Sequence, residues 1–298
     1  MNTLLSCTLC PRACGVNRLQ GQRGFCRVGN APLVTRAAPH LWEEPCLCGE
    51  GGSGTVFFGG CNLGCTFCQN RAISRGATGT PVTVEKLADI FLSLAEQGVA
   101  NLNLVTPTPW APFIREALDL AWSRSFWLPV VYNCGGYEDV AAIASLRGYV
   151  SVYLPDFKYF DPALGQRLSG VPDYPARAME ALQEMVDQRG EPHITEEGLM
   201  TRGVIVRHLV LPGHVEDSKR VLSYLHDEYS DRIYISIMNQ YTPMPGMTGE
   251  LSRPLAEDEY AEVVAHARRI GIRRAFIQEG GAVGESFIPT FDGLGVLS

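Results

Sequence analysis

Nine of the ten cysteines in this chain lie before residue 69, and three of them form a tight group, Cys61-x3-Cys65-x2-Cys68. This spacing brings three thiolates within reach of one metal centre and supplies no fourth cysteine nearby. A four-iron cluster held by three thiolates keeps one iron free for an exogenous ligand. The motif therefore predicts a metal centre with an open position, the alternative being a structural cluster or zinc site that takes its fourth ligand from elsewhere.

A second group of four cysteines lies near the N-terminus: Cys7, Cys10, Cys14 and Cys26. Glycine and polar residues separate them without apolar periodicity, so this segment is unlike one that folds around its own hydrophobic core. The cysteines predict a second metal site, and their spacing suits either a tetrahedral zinc or a four-iron cluster. We assign residues 1–45 to a Cys-rich N-terminal metal-binding segment and residues 46–298 to a second unit.

Residues 31–52 read as a connector rich in proline and glycine, which contains Cys46 and Cys48. Such a pair suits extra ligands or a redox-active dithiol, but buried structural thiols are equally common. We assign no role to these two cysteines or to Cys134.

From residue 53 onward, short apolar runs alternate with amphipathic stretches. The apolar runs predict strands at 55–58, 102–106, 128–133, 150–157, 204–211 and 232–238. The amphipathic stretches predict helices at 84–97, 111–124, 137–146, 174–189, 215–228 and 257–270. Six strand–helix repeats indicate an α/β fold with a parallel sheet, either doubly wound or a barrel. In both, functional residues gather at the carboxyl ends of the strands.

The overall composition is that of a globular protein, with 46% hydrophobic and 19% charged residues. The net charge of -7 argues against general affinity for nucleic-acid phosphates, so we expect no nucleic-acid partner. No apolar run of membrane-spanning length and no signal peptide is recognisable, so we expect no membrane association and a soluble cytoplasmic protein.

The Cys61 motif, with the aromatic Phe67 before its last cysteine and a strand in front of it, resembles the signature of the radical S-adenosylmethionine enzymes. The resemblance implies a partial (β/α)6 TIM-like barrel and a [4Fe-4S] cluster whose open iron binds S-adenosylmethionine. It also implies reductive cleavage of that cofactor to a 5'-deoxyadenosyl radical, which abstracts hydrogen from a substrate. The cofactor carries this chemistry while the protein positions and shields it.

Several further motifs are similar to those of homologues of pyruvate formate-lyase activating enzyme, including the N-terminal Cys-x2-Cys-Pro-Arg-x-Cys and the run from Met238 to Tyr241. The resemblance implies cofactor contacts at eight positions: Phe67, Thr106, Thr108, Asn133, Asp156, Lys158, Arg207 and Tyr241. Thr106 and Thr108 stand where such enzymes often carry Gly-Gly-Glu, which contacts the cofactor amino group. Asp156 and Lys158 form an Asp-x-Lys that in activating enzymes lies near the cofactor carboxylate. No residue is assigned a catalytic role of its own.

Three functions are compatible with these features. The preferred one is an oxidoreductase-like radical enzyme that acts on a small-molecule or peptide substrate and receives its electron from a flavodoxin- or ferredoxin-type donor. The second is an activase that installs a glycyl radical in a protein partner. The third is a non-enzymatic iron–sulfur or zinc protein.

Overall fold

The computed structural model describes residues 2–75, 78–278 and 289–296, and a mostly parallel sheet of ten strands lies at its centre. The strands are β1 (Leu33–His40), β2 (Ser53–Phe58), β3 (Thr80–Pro81), β4 (Leu102–Val105), β5 (Val130–Cys134), β6 (Val152–Pro155), β7 (His193–Ile194), β8 (Met200–Leu209), β9 (Tyr234–Met238) and β10 (Ala275–Ile277). Their order across the sheet is β10-β9-β8-β6-β5-β4-β2-β1-β3, with β7 paired to β8.

In this spatial order, each strand from β2 across to β10 is parallel to its neighbour. Strand β1 pairs antiparallel with β2 on one side and with β3 on the other. Within the described residues, β10 and β3 stand at opposite ends of this order, so the barrel is open. The six predicted strands correspond to β2, β4, β5, β6, β8 and β9 with small shifts of their ends. The partial α/β barrel expected from the sequence is confirmed.

The α-helices are α1 (Asn2–Leu5), α2 (Pro45–Cys48), α3 (Arg71–Ser74), α4 (Val84–Glu96), α5 (Ala111–Ser123), α6 (Val140–Ala144), α7 (Pro162–Ser169), α8 (Tyr174–Arg189), α9 (Val215–Tyr229) and α10 (Glu257–Ile270). Helix α4 illustrates why these residues form helices. At its start, the Thr83 side chain accepts a hydrogen bond from the Lys86 N–H. Leu87, Phe91 and Leu94 recur on one buried face of it. All six predicted helices are present.

The interpretation of residues 31–52 as a connector is wrong. Residues 33–40 form the eight-residue strand β1, and residues 45–48 form α2. Apolar and polar residues do not alternate clearly along β1, because the strand is largely buried on both faces. Since β1 joins the same sheet as β2, the division between residues 45 and 46 stays a proposal, and the pairing favours an earlier boundary.

Helix α2 lies against the inner face of the sheet, where Cys46 and Leu47 pack with Val131, Val152 and Ile205. Its last turn is held by a hydrogen bond from Asn101 Nδ2 to the Leu47 carbonyl at 2.6 Å. Cys46 is therefore a core residue, and burial raises the pKa of its thiol to about 12.

The helices α4 and α5 cover β2 and β4 on the outside, and α8, α9 and α10 cover the strands from β6 to β9. Among the described residues, none of the helices combines the length and apolar character that a bilayer crossing requires.

Candidate active site

A cavity of about 260 Å³ opens at the carboxyl ends of the parallel strands. Its walls include the cysteine loop after β2 and the residues that follow β4, β5, β6 and β8. The sequence-predicted residues that line it are Cys61, Cys65, Phe67, Cys68, Thr106, Thr108, Asn133, Asp156, Lys158 and Arg207. Residues that are distant in the sequence therefore share one cavity, because parallel strands all end at the same edge of a sheet.

The three cysteines occupy the loop between β2 and α3. The Leu63 N–H points at Cys61 Sγ over 3.4 Å, and Ser169 Oγ lies 3.0 Å from Cys65 Sγ. The Ser74 hydroxyl lies 3.7 Å from Cys68 Sγ. Each sulfur thus has a polar neighbour of the kind that stabilises a thiolate bound to a metal.

Burial raises the pKa of the Cys61 and Cys68 thiols above the ordinary value, so both would be protonated without a bound cation. In the described part of the chain, no three Cys, His, Asp or Glu side chains are already arranged in metal-binding geometry. The donor set nevertheless fits an iron–sulfur cluster: three thiols share one cavity and have hydrogen-bonding partners. Loading would require these thiols to lose their protons and turn toward the iron.

A chain of alternating charges forms part of the cavity wall. Lys158 Nζ lies 2.6 Å from Asp156 Oδ2, and Arg207 Nε lies 3.0 Å from Asp156 Oδ1. Arg207 Nη2 also donates to Asn133 Oδ1. Burial alone would raise the pKa of Asp156, but the two flanking cations hold it below the ordinary value. The wall therefore carries one excess positive charge from these three ionised groups, which suits an anionic carboxylate.

The end of β4 has a strained backbone. Thr106 has a φ of 59°, a left-handed conformation that β-branched residues rarely adopt, and its N–H donates to the Asn133 carbonyl. Thr108 lines the cavity, but its hydroxyl donates to Glu138 Oε1 at 2.7 Å. Thr106 thus has the backbone conformation that glycine adopts most readily, while the Thr108 hydroxyl already has a partner.

Phe67 and Tyr241 differ in their positions. Phe67 lines the cavity and packs against Tyr241 with ring centroids 6.3 Å apart. Tyr241 is 1% exposed, and its hydroxyl donates to the Leu251 carbonyl. The structure does not bring Tyr241 into the cavity lining. It supports Phe67 from behind, and the adjacent Gln240 faces the cavity instead.

Among the cavity residues missed from the sequence are His40, Trp42 and Glu43. They come from the end of β1 and the loop before α2. Glu43 Oε2 lies 3.7 Å from Arg207 Nη1, and burial beside Glu44 raises the pKa of Glu43 to about 8. No motif marks this loop, and only the antiparallel return of β1 over β2 places it at the cavity.

The buried Glu138 was also missed. It is 1% exposed, and its carboxyl accepts hydrogen bonds from the hydroxyls of Thr108 and Tyr132. Burial raises its pKa to about 8, so it is protonated at neutral pH. A glutamate two residues before an apolar helix is typical of a helix start, so its sequence context gave no signal of this burial.

The four N-terminal cysteines line a second, small cavity together with Arg12, Arg18 and Phe25. Arg18 is 1% exposed, and its Nη2 has no hydrogen-bond partner among the described residues. Its other guanidinium nitrogens donate to the carbonyls of Gly29 and Pro109. The guanidinium also lies 5.0 Å from the Trp110 ring centroid. A metal held by four thiolates would supply the negative charge that a buried cation without a carboxylate partner favours.

These features define an α/β partial-barrel protein with three cysteines, an ion network and an apolar wall around one cavity. Residues 55–225 match the family model described as "Radical SAM superfamily". The chain belongs to this superfamily of enzymes, which perform radical chemistry with S-adenosylmethionine and a [4Fe-4S] cluster.

One relative is an uncharacterised protein of Methanocaldococcus jannaschii, MJ0674. The two are 32% identical over 251 residues, which cover 81% of this chain and 68% of the relative.

Solved structures with the same fold include SuiB of Streptococcus suis bound to its precursor peptide SuiA, at 12% identity and a TM-score of 0.51. That match covers 74% of this chain and 46% of SuiB. Another is HydG, a maturase of the [FeFe]-hydrogenase, at 14% identity and a TM-score of 0.50, covering 73% of this chain and 49% of HydG. The chain thus spans about half the length of these proteins, and the likeness concerns the fold alone.

Proposed function

We propose that this protein is a radical enzyme in which Cys61, Cys65 and Cys68 hold a [4Fe-4S] cluster, and that its substrate is a small molecule or a peptide. The observation that carries the proposal is the cavity that three cysteines share with a network of net positive charge. When bound, the cluster and S-adenosylmethionine supply a 5'-deoxyadenosyl radical that takes one hydrogen atom from the substrate, after one electron has arrived from a flavodoxin- or ferredoxin-type donor.

The chain's own residues bind and orient the cofactor. Lys158 and Arg207 offer the cofactor carboxylate two cations that are already fixed by Asp156, so little side-chain ordering is required on binding. The backbone carbonyl of the strained Thr106 is the acceptor available for the cofactor amino group, because the Thr108 hydroxyl is bound to Glu138. Phe67, held by Tyr241, supplies an apolar surface that keeps water from the reacting atoms.

The substrate occupies the wall formed by His40, Trp42 and Glu43. Trp42 lines the cavity and is 61% exposed, so this wall presents an accessible apolar surface. A peptide or an organic molecule with an apolar part fits such a surface. The glycyl-radical activase remains the second candidate, and family membership favours both over a non-enzymatic protein.

The second metal site at Cys7, Cys10, Cys14 and Cys26 is also a proposal. It is supported by the common cavity of the four cysteines and by the buried Arg18. Arg18 alone does not separate zinc from iron, since either metal with four thiolates carries net negative charge.

The test is anaerobic reconstitution of the full chain with iron and sulfide, followed by iron and zinc counting and an assay for 5'-deoxyadenosine. The reduced wild type is expected to form this product. Cys65→Ala removes one of three ligands, so we expect loss of about four irons and of at least ~99% of the product. Cys48→Ala, a half-buried cysteine outside the cavity, is the control and should match the wild type. A reconstituted wild type that forms no 5'-deoxyadenosine would refute the proposal.

A further inference from the structure

Arg12 belongs to the N-terminal cysteine segment, yet its side chain reaches the loop of the three-cysteine motif. Its Nε donates to the Asn62 carbonyl at 3.0 Å. Asn62 lies between Cys61 and Leu63, and the Leu63 N–H is the group that points at Cys61 Sγ. The guanidinium therefore holds the peptide unit that directs a hydrogen-bond donor toward the first cysteine.

The same guanidinium also reaches the residue beside the second cysteine. Nη2 approaches the Ser169 carbonyl at 3.5 Å, and Nη1 approaches the Gly170 carbonyl at 3.4 Å. The Ser169 hydroxyl lies 3.0 Å from Cys65 Sγ and 2.9 Å from the Tyr159 hydroxyl. One side chain thus links the surroundings of Cys61 to those of Cys65, across 158 residues of sequence between Arg12 and Gly170.

Phe25 completes this contact from the other part of the N-terminal segment. The Arg12 guanidinium lies 3.7 Å above the Phe25 ring centroid, a close cation–π distance. A Cβ added to Gly64 would lie 3.1 Å from Phe25 Cζ, so the ring packs directly on the motif backbone. A larger residue at position 64 would therefore require the Phe25 ring to shift.

Arg12 and Phe25 both lie next to N-terminal cysteines in the sequence. Arg12 lies between Cys10 and Cys14. Phe25 directly precedes Cys26. A metal bound by these four sulfurs would bring the two stretches together and hold Arg12 against Phe25.

We propose that Arg12 is a positioning residue that couples the N-terminal metal site to the loop of Cys61, Cys65 and Cys68. Arg12 and Phe25 together, called the Arg12 clamp, set the position of Asn62 to Gly64 and hence the approach of the cluster ligands. The N-terminal segment then serves the active site by ordering its loop. The inference rests on the proposed function for the identity of the cluster ligands, but the ordering of the loop can be measured separately.

The first experiment measures amide hydrogen exchange of the 60–68 peptide in the metal-loaded full chain, for wild type, Arg12→Gln and Arg12→Lys. Loss of charged hydrogen bonds in Arg12→Gln is expected to speed exchange about tenfold or more. Arg12→Lys should fall between, because lysine keeps the charge and one donor nitrogen but lacks the planar fork. Arg23→Gln removes the same charge from an exposed position of the same segment and should match the wild type.

A second measurement reads the cluster itself. The electron paramagnetic resonance spectrum of the reduced protein, with and without S-adenosylmethionine, should show shifted g-values in Arg12→Gln and no shift in Arg23→Gln. Phe25→Ala removes the ring but leaves the hydrogen bonds of Arg12, so it should give a smaller change in the same direction. If circular dichroism shows that Arg12→Gln does not fold, Phe25→Ala replaces it as the test of the clamp.

Two results would overturn the clamp. One is equal exchange and equal spectra for Arg12→Gln and Arg23→Gln. The other is loss of the N-terminal metal in Arg12→Gln with unchanged exchange at 60–68, which would confine Arg12 to the N-terminal segment. Failure of the wild type to form 5'-deoxyadenosine would reject the proposed function and leave the exchange result interpretable.

Discussion

Strain at one residue marks the part of the cavity where the backbone is most constrained. Thr106 combines a β-branched side chain with a φ of 59° at the end of β4. Such conformations cost about 1–3 kcal/mol and persist where surrounding contacts impose them. Here the hydrogen bond from Thr106 N–H to the Asn133 carbonyl is one such contact. The strain supports a role for the Thr106 carbonyl in the cavity.

At this residue, Thr106→Gly should be more stable than Thr106→Val by about 1 kcal/mol or more, because glycine adopts positive φ freely and valine retains the strain. Both variants lack the hydroxyl, so its loss cancels in the comparison. Urea unfolding of the metal-free proteins gives the two free energies. A valine variant as stable as the glycine variant would show that the backbone is not strained in solution.

At the scale of elements, the short helix α2 fills the interior of the open barrel. Leu47 is fully buried, and its neighbours come from β5, β6 and β8. The helix also fixes the preceding loop, which carries Trp42 and Glu43 to the cavity. Packing inside the barrel and the shape of the cavity wall at Trp42 and Glu43 are therefore linked.

Shortening the Leu47 side chain of this helix should lower the stability of the protein markedly. Leu47→Ala is expected to lower the free energy of unfolding by about 2–5 kcal/mol, since it leaves a void in a closely packed interior. Leu41→Ala removes the same atoms from a side chain that is 63% exposed and should cost less than about 0.5 kcal/mol. Denaturant unfolding of both variants decides the matter, and equal costs would mean that α2 is not packed inside the barrel.

For the whole molecule, buried carboxyls make stability depend on pH. The pKa of Glu138 rises from an ordinary 4.5 to about 8 on folding because the group is buried. Between these values the native state keeps a proton that the unfolded chain releases. The associated stability is complete below about pH 4.5 and is lost as pH rises through about 8. Glu43 acts in the same direction.

The wild-type melting temperature should therefore fall from pH 6 to pH 9, and Glu138→Gln should reduce this slope, because glutamine releases no proton. Glu43 still titrates, so some slope should remain. Glu50→Gln changes an exposed residue and should leave the slope unchanged. Differential scanning fluorimetry across this pH range is sufficient, and an unchanged slope in Glu138→Gln would contradict the assignment.

The sequence by itself determined the features that depend on local pattern. The spacing of Cys61, Cys65 and Cys68 is read directly, and period and capping residues predicted helices such as α4 with ends correct to about one residue. The candidate residues Asp156, Lys158 and Arg207, chosen from the sequence, line one cavity. These properties follow from neighbours within a few residues and from the common direction of parallel strands.

Tertiary structure alone decided the features that depend on contacts between distant residues. It turned residues 33–40 into a strand, placed α2 inside the barrel, and carried Glu43 to Arg207. It also separated Tyr241 from the cavity and brought Arg12 to Asn62 across 50 residues. None of these has a local signature, because burial, long-range hydrogen bonds and cation–π contacts depend on where the folded chain returns to itself.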